Sequence, residues 1–365
     1  MAITRIGKPA IADVRGVNFR NIIINGDMSV SQRTTSTSGV STTGQFVLDR
    51  WKLNVDSMGA WTISQSTDVP TGQGFASSMK WDCTTADASP AADDNIQLQQ
   101  RFEGQNLQYI KKGTSSAEST TLSFWVKSNK TGTYICELRD KDNSDRHINK
   151  SYTISSADTW EKKTITFAGD TTGTLTNDNS TSIDLNFWLG AGSTFTSGSL
   201  QTSWGSSTSA NRAVGQVNLA DSTSNEWYIT GVQLEAGQVA SDFEFLPVDV
   251  NFNRCKRYYQ QVGDTPDGRD EAKQGVTGQM WTNAQLLPTY VLSPSMRTAP
   301  SLSTSTSALG TVYTNGVGLT INSVAANTSS RTHLQPALNT ASAATKGYAG
   351  HADLTGGYLL ISAEL

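Results

Sequence analysis

The chain has 365 residues, with 28 basic and 32 acidic side chains and a formal charge of −4, which argues against a nucleic-acid binder built on a basic stripe. Charged residues make up 16% of the chain, below the usual ~25%, yet nine Trp, ten Tyr and eleven Phe exclude a disordered chain, which has no core to hold aromatics. Ser and Thr fill 89 positions, and with many Gly, few Pro and scattered Trp this composition reads as an all-β protein rich in turns.

Residues 1–20 are Gly-punctuated and carry Ile3, Ile6, Ile11, Val14 and Val17 among charges. They read as an arm without a core of its own, and lack the apolar run of a secretory signal. Residues 29–45 form a polar connector, so 1–45 is expected to be an attachment arm and linker. From Phe46 to residue 248, strand-like runs alternate with turn clusters. TLSFWVKS (121–128) places Leu122, Phe124 and Val126 on one face, and SIDLNFWLG (182–190) does the same with Ile183, Leu185, Phe187 and Leu189, following the two-residue period of a strand. GTYICELRD, WEKKTITFAG and EWYITGVQLEAG are further strands, separated by turns such as DKDNSD and TNDNSTS. Short strands at this spacing predict a jelly-roll β-sandwich. Residues 249–275 are expected to be a hinge, and 276–365 a smaller β domain with a hairpin at Asn315–Gly316. Between Thr298 and Leu365 only Arg331, Lys346, Asp353 and Glu364 are charged. That poverty of charge predicts burial between subunits.

The three cysteines form no CxxC pair, and no stretch approaches the ~18 apolar residues of a membrane span. No disulfide framework, metal cluster, cofactor or membrane insertion is expected. DKDNSD lacks the Gly and the bidentate acid of an EF-hand loop, so a solvated hairpin turn is the expectation there. GxSxG, HExxH and P-loop motifs are absent, and no catalytic residue is assigned.

Three segments carry a family resemblance. NIIINGDMSVSQR (21–33) with FVLDRW (46–51), WYITGVQLEAGQVASDFEF (227–245) with RCKRYY (254–259), and SPSMRTAPSL (293–302) resemble, in order and spacing, bacteriophage tail-fibre and virion appendage proteins. The resemblance implies a jelly roll similar to carbohydrate-binding modules, carried on a virion part made in the host cytoplasm. Attachment to host surface glycan is the expectation drawn from this, and the apolar residues of 1–20 are expected to dock on another virion protein or to pack along the trimer axis. Three-fold symmetry is common in such fibres, and a homotrimer is expected. A purely structural capsid fibre or tail adaptor is the alternative, and a polysaccharide depolymerase a third reading.

A glycan site is sought where Trp lies on a polar strand face, because an indole packs well against the apolar face of a sugar ring. Opposite the aliphatic faces lie Trp125 and Lys127 on one strand, and Asp184, Asn186 and Trp188 on the other. These five are the candidate glycan-binding residues, with Trp125 and Trp188 as platforms and the rest as hydrogen-bonding groups on one sheet face. The competing expectation is that both indoles are covered by the arm, a loop or a neighbouring subunit. Trp160 and Trp227, opening strands, are expected in the core.

Overall fold

The computed structural model describes residues 19–263, 276–306, 309–341 and 344–365. The expected arm at 1–18 and the second half of the expected hinge lie outside them. The fold is all-β, a jelly-roll sandwich followed by a smaller β domain.

Sheet I of the sandwich runs in the order β1 (Ser36–Val40), β4 (Ala60–Ser66), β5 (Ser78–Thr85), β12 (Glu226–Ala236), β7 (Thr120–Ser128) and β10 (Glu161–Phe167). Sheet II runs β2 (Gln45–Phe46), β3 (Lys52–Asp56), β6 (Asn95–Glu103), β11 (Thr181–Ala191), β8 (Gly132–Asp140) and β9 (Arg146–Ile154). Every pairing is antiparallel. Because side chains alternate along a strand, each sheet turns one apolar face inward. Leu122, Phe124, Val126, Trp61, Trp81 and Trp227 from sheet I meet Leu185, Phe187, Leu98 and Cys136 from sheet II. All ten are fully buried, and each large side chain contributes about 1.5–3 kcal/mol by leaving water.

Residues 21–35, expected as arm and linker, are part of this body. Ile23, Met28 and Val30 are buried, and Asn25 accepts from the Val30 amide (2.9 Å) while donating to the carbonyls of Val30 and Asp49 (2.8 and 3.0 Å). Val40, at the end of β1, is fully buried too.

The second domain contains β14 (Val276–Thr282), β15 (Gln285–Pro288), β16 (Tyr290–Val291), β18 (Thr311–Thr314), β19 (Val317–Ser329), β20 (His333–Thr340) and β21 (Ala349–Asp353). The order β15–β14–β21–β18–β19–β20 closes on itself through β15–β20 pairing, giving a small barrel. Closure leaves few exposed strand edges. Thr314 pairs with Val317 across Asn315 and Gly316, both at positive φ (47° and 77°), the two-residue hairpin that Asn-Gly favours. A three-stranded sheet, β13 (Tyr259–Gly263), β22 (Tyr358–Ser362) and β17 (Ser301–Thr304), completes the domain.

The described part of the expected hinge, residues 249–263, is fixed in place. Val248–Lys256 form a helix, and β13 follows within three residues. Arg257 holds Glu103 of β6 through two hydrogen bonds (2.8 and 2.6 Å), and the buried Arg50 guanidinium lies 3.5 Å from the Tyr258 ring centre and pairs with Glu364. Arg33 stacks on Tyr259 at 3.5 Å and bonds Glu364 at 3.1 Å. Arg297 donates to the carbonyls of Asn179, Ala363 and Glu364. Arg33, Arg50, Arg257, Tyr258, Tyr259 and Arg297, drawn from all three resembling matches, thus meet at one junction between sandwich and second domain.

Candidate functional site

The outward face of sheet I carries a cleft of about 290 Å³. Its floor is Ser123 and Trp125 of β7 and Gly231 of β12; its walls include Phe75, Phe243 and Phe245, with Gln73, Lys162 and Asp242 at the rim. The three phenylalanine rings are mutually packed, with centres 4.9–5.1 Å apart. Gly231 makes this possible. It sits at φ +62°, where the β12–β7 register shifts, and a Cβ there would stand 2.6 Å from the Phe75 ring.

The segment carrying Phe243 and Phe245 is strapped to the sheet. The Glu244 amide donates to Gln233 (2.8 Å), the Ser241 amide and hydroxyl donate to Glu235 (2.8 and 2.7 Å), and the Asn21 amide donates to Glu244 (3.0 Å). Phe245 remains 51% exposed and Phe243 is half-buried, while Phe75 is buried behind them, so the outer part of the aromatic wall faces solvent. Trp125 is half-buried, while Lys162, its cross-strand partner, and Asp242 are exposed.

Beside Trp125 on the same face lies a second group. Lys127 pairs with Asp68 and sits 4.4 Å from the Tyr228 ring centre and 5.8 Å from that of Trp160. Trp160 donates its Nε1–H to Asp68 at 2.9 Å. It is half-buried against this outer face, a correction to its expected core position; Trp227 is in the core as expected. Tyr228 donates to Glu226, which also pairs with Lys80, both at 2.6 Å. Burial opposes ionisation of Asp68 and Glu226. The hydrogen bonds from Lys127 and Trp160, and from Lys80 and Tyr228, overcome it and hold both carboxyls below their usual range.

The other three candidates lie on the opposite outer face of the sandwich. Asp184, Asn186 and Trp188 belong to β11 of sheet II, so the five residues do not form one site. Trp188 is fully buried. The segment 192–217 folds over it, packing Phe195 against its ring at 5.2 Å and the Arg212 guanidinium at 4.9 Å. It cannot serve as a stacking platform. Arg212 in turn makes two 2.7 Å bonds to buried Glu137, which accepts from Asn186 (2.9 Å); Asn186 accepts from Gln99 (2.7 Å). Asn186 and Asp184 are 0% and 1% exposed. Asp184 Oδ1 lies 3.5 Å from Arg101 Nε but takes no hydrogen bond. Desolvation there pushes the Asp184 carboxyl up to about 6 despite the nearby Arg101, Lys141 and Arg139. Trp188, and Asn186 through Glu137 and Arg212, hold the 192–217 segment in place, and all three candidates are buried away from a ligand.

Of the predicted site, Trp125 and Lys127 remain together on an accessible face. Phe75, Gly231, Phe243 and Phe245 line the cleft without standing out in the strand pattern. The available signal was ITGVQLEAG followed by DFEF, whose glycine and phenylalanines meet only in the folded chain. In the DKDNSD turn, Asp140 accepts from the Asp142 and Asn143 amides (3.0 and 3.2 Å) and pairs with the buried Lys112 ammonium. Among the described residues, no group of three or more His, Cys, Asp or Glu is placed to hold a metal ion.

No family model matches the sequence, and no curated protein matches it. Solved structures do resemble it. The tailspike protein 4 enzymatically active domain of bacteriophage CBA120 aligns at 13% identity and TM-score 0.30, over 60% of this chain and 21% of that one. The module TmCBM61, solved in complex with β-1,4-galactotriose, aligns at 12% identity and TM-score 0.29, over 60% of this chain and 99% of its own. A family 11 carbohydrate-binding module from Clostridium thermocellum, solved with a mixed-linked tetrasaccharide, gives 12% identity and TM-score 0.29, over 57% of this chain and 99% of its own. The chain spans about a fifth of the tailspike structure. At these scores the likeness is one of loose topology.

Proposed function

We propose that this chain is a non-catalytic virion appendage protein that attaches to host-surface glycan through the cleft at Trp125. The observation that carries this reading is the exposed aromatic cleft on sheet I. Flat rings with a few polar groups at the rim are the usual make-up of a site for a partly apolar, hydroxyl-rich ligand. A shallow cleft supports single-site affinity in the ~mM range, and linked copies raise avidity by roughly 10²–10⁴. The virion setting rests on the three resembling segments.

The test is binding of the purified full chain to a glycan array, followed by cell attachment. Trp125→Ala should abolish both while leaving the melting temperature nearly unchanged, because the indole lines the outer face. Binding unaffected by this substitution would refute the site. Release of reducing sugar from host polysaccharide would instead favour the depolymerase reading.

A structural role is the second reading, and the barrel surface favours it. Trp281, Tyr348 and Tyr313 are 57%, 50% and 42% exposed in a stretch poor in charge. Covering such a surface with identical subunits around a three-fold axis gives a closed assembly. A sedimenting species of three chains supports the trimer, and a stable monomer of 39.2 kDa refutes it.

A further inference from the structure

We infer that the cleft at Trp125 is one half of a two-platform site whose second half is Trp160, and that its ligand is a neutral oligosaccharide rather than an acidic one. This rests on the glycan-binding reading above.

Strand pairing sets the spacing. Lys162 lies opposite Trp125 and Glu161 opposite Val126, so Trp160 continues the register opposite Lys127, consistent with the Lys127 ammonium over its ring. Trp125 and Trp160 are therefore diagonal neighbours on adjacent strands, about 7–8 Å apart at the backbone. Both are half-buried with one side on the same outer face. Tyr228 is 7% exposed beneath Lys127, so it supports the second platform without reaching a ligand. The Nε1–H bond to Asp68 fixes the Trp160 indole, which limits the ordering needed on binding. Beside the Trp160 ring stand the heads of Lys127 and Asp68, a donor and an acceptor suited to hydroxyls.

Charge selects among glycans. The charged side chains on this face are Arg20, Lys80, Lys127 and Lys162 against Asp68, Asp82, Glu226, Glu235 and Asp242, with Arg20 paired to Glu235. Lys127 is paired with Asp68, and Lys80 with Glu226 and Asp82. Lys162 shares the rim with Asp242. Among the described residues of this face acidic groups outnumber basic ones, so a uronate or phosphate would lose its hydration against a net negative surface. A neutral chain meets no such penalty, and its binding should respond little to salt.

The experiment measures binding of the full chain to neutral and to uronate-bearing oligosaccharides, each graded from disaccharide to hexasaccharide. The expected result is about tenfold tighter binding of longer neutral chains than of the disaccharide, one aromatic contact's worth, with uronates weaker at every length. Trp160→Ala should bring the longer chains down to the disaccharide affinity. Trp160→Phe, which keeps a flat ring and loses only the bond to Asp68, should retain most of the gain and shows that the alanine effect is not loss of folding. Length-independent binding, preference for uronates, or an unchanged length dependence in Trp160→Ala overturns this inference while Trp125 still matters. Absence of binding to every saccharide overturns the glycan-binding reading itself.

Discussion

Replacing Asp184 with Asn should make the protein more stable at neutral pH. The Asp184 carboxyl is 1% exposed, leaves Oδ1 without a hydrogen bond, and titrates at about 6 instead of 3.8. A folded-state pKa above the unfolded one means the folded chain holds the proton more tightly. Below about pH 4 both states are protonated and nothing is lost. As pH rises from about 4 to 6 the unfolded state releases its proton first, so stability falls, and the full cost is present above about 6. A shift of about two units at 1.36 kcal/mol each gives about 3 kcal/mol, the ceiling for what a neutral isostere recovers. The amide cannot keep the attraction of Arg101 at 3.5 Å, and about 1–3 kcal/mol is the expected gain. Denaturant unfolding of wild type and Asp184→Asn at about pH 7 and pH 3 measures it. The variant should be more resistant at pH 7 and lose that advantage at pH 3. Equal midpoints at pH 7, or the same gain at both pH values, would refute the assignment of Asp184 as a destabilising buried carboxylate. Asp49, also raised to about 6 by burial, gives wild type a second loss of stability over the same window, which the variant retains.

Two further substitutions follow from the same structure. Trp188→Ala should lower stability by about 3–5 kcal/mol and free the 192–217 segment, seen as new protease cleavage there; a folded variant lacking only glycan binding would restore Trp188 to the site. Arg257→Met leaves Glu103 buried without its two-bond partner and should cost about 3–5 kcal/mol; calorimetry should show it as a lowered sandwich transition, and an unchanged trace would mean the junction is not a stabilising contact.

The family-like segments have a physical reason to be where they are. QR of 32–33, DR of 49–50 and RYY of 257–259 supply Gln32, Arg33, Asp49, Arg50, Arg257, Tyr258 and Tyr259 to a single polar junction closed by Glu364. Charged groups at this junction are satisfied by each other and by neighbouring hydroxyl, amide and carbonyl groups. Their spacing along the chain is legible, and their meeting is not.

What the sequence determined by itself was local. The two-residue period placed Leu122, Phe124 and Val126, and Ile183, Leu185, Phe187, on inward faces, and Asn315–Gly316 specified its hairpin, because both depend only on backbone geometry within a few residues. The same period put Trp125 and Trp188 on equivalent-looking polar faces. Tertiary structure separated them. β7 joined sheet I and β11 joined sheet II, so the two tryptophans face away from each other across the core. The 192–217 segment then closed over Trp188 with Arg212 and Phe195, while Phe75, Phe243 and Phe245 left Trp125 lining an open cleft. Alternation fixes a side chain relative to its own strand. Which sheet the strand enters, and which distant loop covers the outer face, depend on long-range pairing and packing that no local pattern encodes.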